Sequence, residues 1–239
     1  MAILGYSMDG LVGILDQKTG LNFGLMMPSL PFLFKGVGVT LLFTAVSLTC
    51  GLTMGAFFSV LRLLPSKIAR GFVIAYVSIF RGTPVLVQLA IVYFATPQLT
   101  GYEIPPLWAA ILSMSLNSAA YVSEIFRGAL RSIPPGQWEA AATLGLNRTQ
   151  TLRHVIFPQA FAYVIPTLGN EAANILKESA LVSTIGAWDL MRRTNMISAE
   201  KYIFFEPLLT VAVIYYVLVN ILTSCFHLGE KYLLKKRQI

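Results

Sequence analysis

Four long stretches without a charged side chain constrain this chain more than any other feature of its sequence. They cover residues 36–61, 82–102, 104–123 and 207–229, and a helix needs roughly 20 mostly apolar residues to cross a bilayer. Of the 239 residues, 56% are hydrophobic and only 12% are charged, whereas a soluble domain is about one quarter charged. The sequence therefore predicts an all-α integral membrane protein.

A fifth apolar stretch, residues 155–185, is interrupted by Glu171, Lys177 and Glu178. We interpret it as a span with a polar stripe, because polar side chains inside a span usually face a pathway or a partner helix. Basic residues fall mainly after the first, third and last spans, and such segments are expected in the cytoplasm. They are Arg62, Lys67 and Arg70, then Arg127, Arg131, Arg148 and Arg153, and finally Lys231, Lys235, Lys236 and Arg237. About five transmembrane helices follow, with the N-terminus outside and the C-terminus in the cytoplasm.

This interpretation divides the chain into three parts. Residues 1–31 are expected on the outer side, where they could form an interfacial helix. Residues 32–229 form the transmembrane domain, with a cytoplasmic loop at 132–158 between the third and fourth spans, and residues 230–239 form a basic cytoplasmic tail.

Small residues inside the spans have structural interpretations. Gly51 and Gly55 are four positions apart in the first span, a spacing that lets another helix approach closely. Glycine is also common in membrane helices without such a role, so both interpretations stay open. Cys50 and Cys225 lie in apolar runs, where cysteine behaves as a small hydrophobe, and we assign them neither a disulfide nor a metal.

The loop at 132–158 has a helical pattern of its own. Pro134 and Pro135 are predicted to end the third span because neither offers an amide hydrogen, and a short helix is expected to restart near Gly136. We place Glu139 in its first turns, where a negative charge is favourable. The three alanines that follow combine high helix propensity with little bulk.

The second half of this loop contains helix-ending and helix-starting signals. Gly145 is predicted to take the left-handed conformation that ends many helices, and Asn147 or Thr149 could cap a second short helix that ends towards Pro158. A helix pair with a smooth alanine face could insert into a groove on a partner. A solvated loop with incidental alanines explains the same composition equally well.

One group of residues in the loop matches a known pattern in type and spacing: Glu139, Ala140, Ala141, Gly145, Val155, Phe157 and Pro158. It resembles the cytoplasmic EAA loop of permease subunits of ATP-binding-cassette importers, although Val155 and Phe157 stand where isoleucine and leucine are usual. Three further stretches resemble the polar amino-acid branch of that family: SIFRGTPVLVQL from Ser78, LNSAAYVSEIFRGALRSIPPGQWEAAATLG from Leu116, and GNEAANILKESALVSTIG from Gly169.

The resemblance implies the type I importer permease fold, in the bacterial cytoplasmic (inner) membrane. It implies that a substrate-binding protein delivers a polar or basic L-amino acid, and that the loop docks on an ATPase subunit, which carries ATP and Mg. No cofactor or metal is expected on this chain. The loop residues to which it assigns ATPase coupling are Gly136, Glu139, Ala140, Ala141, Gly145 and Pro158.

Polar residues recur at helical spacing in two of the spans. They are Thr167, Glu171, Asn174 and Glu178 in the fourth span, and Ser113, Asn117, Tyr121 and Glu124 in the third. Residues three or four apart share one helical face, so two polar faces suggest a hydrophilic path. Hydrogen bonds between helices are the alternative, worth about 0.6 kcal/mol on average in membranes.

Two charged residues have specific interpretations in this path. Arg81 precedes Gly82 and Pro84, which can kink the helix, and it could pair with a carboxylate or reach the interface. Glu171 is predicted to meet the positive part of the substrate, with arginine, lysine or histidine as the first guess and glutamine next. An ion pair of Glu171 with Arg81 or Lys177 would instead make it a folding residue. The predicted path residues are Glu171, Asn174, Thr167, Asn117, Tyr121 and Arg81.

Other classes of function fit the sequence less well. No GxxxxGK[ST] loop is present, so ATP hydrolysis must belong to another chain, and the absence of an HExxH motif disfavours an intramembrane enzyme. An ion-coupled secondary transporter or channel subunit remains the alternative, although the spans show no internal repeat. The net charge of +7 is explained by the basic segments expected in the cytoplasm, so it does not indicate nucleic-acid binding. One bundle cannot enclose a path, so a second permease copy is expected, a homodimer being favoured and a heterodimer possible.

Overall fold

The computed structural model describes residues 21–235, and every regular element in this range is helical. Residues 1–20, most of the predicted outer segment, lie outside this range, as do Lys236 and Arg237 of the predicted tail. The helices are α1 (Phe23–Met26), α2 (Leu30–Leu63), α3 (Lys67–Gly82), α4 (Val85–Ala90), α5 (Thr96–Thr100), α6 (Pro106–Arg131), α7 (Pro135–Thr143), α8 (Arg148–Thr151), α9 (Phe157–Glu178), α10 (Leu190–Lys201) and α11 (Phe205–Lys235).

Length and apolar composition identify two or three membrane spans among the described helices. Phe23–Leu63 and Phe205–Lys231 qualify alone, and the pair Lys67–Gly82 with Val85–Thr100 qualifies as one broken span, bent by 102°. Helices α6 and α9 have 26 and 22 residues but carry charged side chains that lower their apolar character. The five spans and their orientation therefore stay a prediction.

The segment between the first two spans differs from the prediction. Lys67 and Arg70 were expected in a loop, but they lie on α3, which begins one residue after Ser66. The Ser66 hydroxyl accepts a hydrogen bond from the Ala69 amide at 3.3 Å, and such an N-cap satisfies an otherwise unpaired donor. Residues 23–31, expected in a separate outer segment, likewise lead through α1 and a tight turn into α2.

The central contact of the fold is between α2 and α6, and it depends on two glycines. A Cβ built on Gly51 would lie 2.6 Å from the Ser118 Oγ, and one on Gly55 would lie 2.6 Å from the Val122 Cβ. No side chain fits at such distances without displacing α6. The predicted close approach at these two glycines is confirmed.

Valine at position 55 is expected to lower the melting temperature of the purified chain in detergent. The added side chain would overlap Val122 and the Ala119 carbonyl, and overpacking of this kind costs about 1–3 kcal/mol. Gly38→Val is the matched control, because a Cβ at Gly38, on the same helix, meets nothing within 4 Å. Equal melting temperatures for the two variants would show that the α2–α6 contact is not close-packed.

Helix α10 lies in a segment that the sequence analysis left without structure. Asp189 caps it, since its carboxylate accepts hydrogen bonds from the Met191 amide at 3.2 Å and the Arg192 amide at 2.9 Å. Burial disfavours the charged form and raises the Asp189 pKa to about 6. The helix packs on α2 at Gly36, where a Cβ would lie 2.7 Å from the Leu190 Cα. An aspartate before a run of helix-forming residues was the signal that could have revealed it.

Candidate functional site

An open cleft of about 500 Å³ lies between the end of α3, the second half of α6 and the first half of α9. Three predicted path residues line it, one from each helix: Arg81, Tyr121 and Thr167. The Arg81 guanidinium lies 5.2 Å from the centre of the Tyr121 ring, within the range of a cation–π interaction. The structure therefore brings half of the predicted path residues together.

Glu124 is the charged centre of this cleft. Its carboxylate is hydrogen-bonded to Arg62 from α2 and to Arg127 one turn further along α6, and it lies 3.5 Å from the Arg81 Nη1. The prediction that Arg81 could pair with a carboxylate is confirmed, and the partner is Glu124. One carboxylate therefore joins α2, α3 and α6.

The break between α3 and α4 is held by side-chain amides. Gln88 donates through its Nε2 to the Phe80 carbonyl at 2.9 Å and to the Thr83 carbonyl at 3.1 Å. Asn117 donates to the same Phe80 carbonyl at 3.1 Å and to the Gln88 Oε1 at 3.0 Å. These bonds satisfy carbonyls that the kink releases next to Pro84. The kink predicted at Gly82 and Pro84 is confirmed.

The position of Asn117 differs from its predicted role in the path. Its side chain is buried, it is bonded to the bend, and it does not line the cleft. The spacing placed it on the same face as Tyr121 but could not show which neighbour that face meets at each turn. Gln88 was missed, although a lone amide four residues after Pro84 in an apolar run was an available signal.

Alanine at position 117 is expected to destabilise the purified chain by about 1–3 kcal/mol, because the buried Gln88 carbonyl oxygen would lose its donor. Thermal unfolding in detergent measures this loss. Asn220→Ala is the matched control, since the Asn220 amide bonds only to the Tyr216 carbonyl of its own helix and is exposed. If both variants unfold at the wild-type temperature, the amides do not stabilise the bend.

Glu171 lies where α9 packs against α6 and is only 7% exposed. It faces Ser118 of α6, whose hydroxyl makes no hydrogen bond of good geometry. Within residues 21–235 we find no ion pair to Glu171, so the alternative of a pair with Arg81 or Lys177 has no support. A buried carboxylate without a cation is costly in a membrane.

The polar face predicted on α9 is divided by this packing. Thr167 and Asn174 are exposed, whereas Glu171 between them turns to the edge of the α6 contact. The exposed side of α9 continues through three residues that were not part of the predicted polar face: Tyr163, Asn170 and Lys177. We call the five exposed residues Tyr163, Thr167, Asn170, Asn174 and Lys177 the α9 polar stripe. Glu171, Asn174 and Asn117 do not line the cleft.

The loop between α6 and α9 has the predicted two-helix form. Gly145 has a φ of +76° and follows α7, where its amide donates to the Ala142 carbonyl at 2.9 Å and the Leu146 amide donates to the Ala141 carbonyl at 3.1 Å. This is the Schellman arrangement that ends helices. Asn147 then caps α8 and forms a reciprocal capping box with Gln150.

Three details of this loop refine the prediction. Glu139 is the fifth residue of α7 and lies in its second turn, within the predicted first turns but beyond the first one, where a charge interacts most strongly with the helix end. Ala141 is 2% exposed and packs inward, whereas Ala140 and Ala142 are exposed. The three alanines therefore do not form one continuous exposed face. Leu144, which was missed, is 79% exposed at the tip of α7. An exposed leucine beside Ala140 gives the loop a projecting apolar contact.

Comparison with known proteins identifies the family to which this helical architecture belongs. The family described as "Binding-protein-dependent transport system inner membrane component" matches residues 47–228, well over half of the chain. The chain belongs to this family. The permease is similar to the arginine transport system permease protein ArtQ of Bacillus subtilis (strain 168), with 43% identity over 203 residues that cover 85% of this chain and 93% of that protein.

Two solved structures share the fold of this permease. A chain of an amino acid ABC transporter crystallised with histidines has 37% identity and a TM-score of 0.85, covering 89% of this chain and 99% of that one. The MetNI methionine ABC transporter in an inward-facing form gives 26% identity and a TM-score of 0.72, with coverage of 86% and 98%. These likenesses confirm the predicted importer permease fold and the bacterial inner membrane as its location.

Proposed function

We propose that this permease translocates a polar or basic L-amino acid across the cytoplasmic membrane, driven by ATP hydrolysis on a partner subunit. One observation carries the proposal: Glu171 is a buried carboxylate with no ion pair in the described residues, beside the exposed α9 polar stripe. A cationic group of the substrate would give it a charge-assisted partner. The similarity to an arginine permease supports a basic substrate, with glutamine or another polar amino acid next.

The path in this proposal includes Glu171, Asn174 and Thr167 of α9 with Arg81 and Tyr121 of the cleft. The α9 polar stripe is exposed on the single bundle, with Tyr163 and Thr167 at the cleft, and polar side chains are costly against lipid. A second permease copy that covers this stripe would enclose a path between the two bundles. We favour a homodimer of five-span subunits, and a heterodimer would use the same surface.

Coupling in this proposal passes through α7 and α8. Gly136, Glu139, Ala140 and Gly145 lie on or next to the exposed side of α7, while Ala141 is buried beneath it and Pro158 is the second residue of α9. The ATPase subunit, which carries ATP and Mg, would receive Leu144 and Ala140 in a groove. A substrate-binding protein would deliver the amino acid at the opposite, outer face.

ATP hydrolysis by the reconstituted complex tests this function. We expect a panel of amino acids, each offered with candidate binding proteins, to stimulate hydrolysis only for basic or other polar members. Native mass spectrometry should show two permease copies with two ATPase subunits. A stable permease monomer without an ATPase, or uptake that follows an ion gradient without ATP, would contradict the proposal and favour a secondary transporter or channel.

A further inference from the structure

Four arginines line a second cavity of about 320 Å³, which shares Arg127 with the cleft. They are Arg62, Arg70, Arg127 and Arg131. Arg62 lies in the last turn of α2, Arg70 in the first turn of α3, and Arg131 ends α6. Three helix ends therefore place four positive charges around one space, which we call the arginine pocket.

The arginine pocket has more positive charge than its surroundings neutralise. Glu124 pairs with Arg62 and Arg127, and it is also shared with Arg81. Arg70 and Arg131 are exposed and have no ion pair within the described part of the chain. Guanidinium groups bind phosphate oxygens through paired, charge-assisted hydrogen bonds. The pocket is therefore suited to a phosphate-bearing anion.

An apolar groove of about 410 Å³ adjoins this pocket, between α2, α6 and α9. The two cavities share Ser59, Leu63 and Leu130 in their linings. Ser59 is the one groove residue with a polar side chain, and its hydroxyl already donates to the Gly55 carbonyl at 2.9 Å. Large apolar side chains at the groove are half exposed, including Val60 at 58% and Phe157 at 50%.

We propose that the arginine pocket and the apolar groove together bind one anionic phospholipid, with its phosphate among the arginines and an acyl chain in the groove. A free phosphate ion would leave the groove uncovered, and an acidic protein surface would not fill it. The pocket lies at helix ends predicted to be cytoplasmic, where basic pockets between spans attract anionic headgroups. The site is separate from the α9 polar stripe, so it does not depend on the proposed substrate.

Native mass spectrometry of the delipidated permease–ATPase complex tests this site by titration with phosphatidylglycerol or phosphatidylcholine of the same acyl chains. The wild type should prefer phosphatidylglycerol. The double variant Arg70→Gln with Arg131→Gln removes two charges that have no internal partner, so folding should be preserved. Its affinity for phosphatidylglycerol should fall about 30-fold, and its affinity for phosphatidylcholine should not change.

A charge-matched control separates the pocket from general surface charge. Lys67→Gln with Lys231→Gln removes two exposed charges on the same predicted side, outside the pocket, and should keep the wild-type affinity. Ala56→Phe, which narrows the groove, should weaken phosphatidylglycerol binding with all four arginines in place.

Three results would overturn the proposal. An equal loss of affinity for phosphatidylglycerol in the Lys67 and Lys231 control would show that the lipid is attracted non-specifically by surface charge. Displacement of the lipid by inorganic phosphate, together with unchanged binding in Ala56→Phe, would assign the pocket to a free anion. Loss of the ATPase subunit from the arginine variant, with lipid binding unchanged, would assign it to a protein interface.

Discussion

Valine at Gly145 is expected to reduce ATP-driven uptake by about 5- to 150-fold while the chain remains inserted in the membrane. Gly145 has a φ of +76°, and a β-branched residue held in this conformation costs about 1–3 kcal/mol. This free energy would lower the population of the native turn by about 5- to 150-fold. The strain falls on the turn that joins α7 to α8 and so displaces the surface that carries Leu144. Uptake and ATPase co-purification, measured in the same membranes, give the two readouts.

Asparagine at the same position is the matched control. It has a side chain of similar bulk to valine but tolerates positive φ, so uptake should stay near the wild-type rate. Glu139→Lys is expected to weaken ATPase binding by reversing an exposed charge on α7, and Glu139→Gln should do so less. Wild-type uptake and ATPase binding in both Gly145→Val and Glu139→Lys would rule out docking through this loop.

Glutamine at Glu171 is expected to leave the complex assembled while raising the KM for a basic amino acid by about 10- to 150-fold. The carboxylate has no ion pair among residues 21–235 that its removal could break. A hydrogen bond to a charged group is worth about 1.5–3 kcal/mol, and the substitution would remove this contribution from substrate binding. Uptake kinetics across a panel of amino acids measure the change.

Glu103→Gln is the control for this substitution, because it removes an exposed carboxylate whose pocket is not lined by any α9 residue, and it should leave the KM unchanged. Loss of the assembled complex in Glu171→Gln would instead make Glu171 a folding residue. Unchanged kinetics for every amino acid tested would refute its assignment to the substrate path.

The features that the sequence predicted correctly are those set by local geometry. Pro134 lies between α6 and α7, and Pro135 is the first residue of α7, a position where its missing amide hydrogen costs no hydrogen bond within the helix. Gly145 adopts positive φ at a helix end, and Gly51 and Gly55 allow α6 to approach. In each case a residue type restricts the backbone or its neighbour directly, so no distant contact has to be known.

The features that the sequence did not predict depend on which neighbour each face meets. Helical spacing grouped Thr167, Glu171 and Asn174, but only the position of α6 decides that Glu171 is buried and the other two are exposed. Asn117 is directed to the bend because Phe80 and Gln88 lie there. The sequence analysis missed helix α3 because it identified helices mainly from stretches without charged residues. Helix α3 carries Lys67, Arg70 and Arg81, so its first half was interpreted as a loop.

The 102° turn between α3 and α4 also affects how movement can travel through this span. A straight helix acts as a rod and transmits displacement along its axis, whereas a sharply angled pair converts an axial push at one end into a sideways one at the corner. The corner here is tied to Asn117 of α6. We therefore expect a displacement along α3 to press on α6 at Asn117 rather than to move α4 along its own axis.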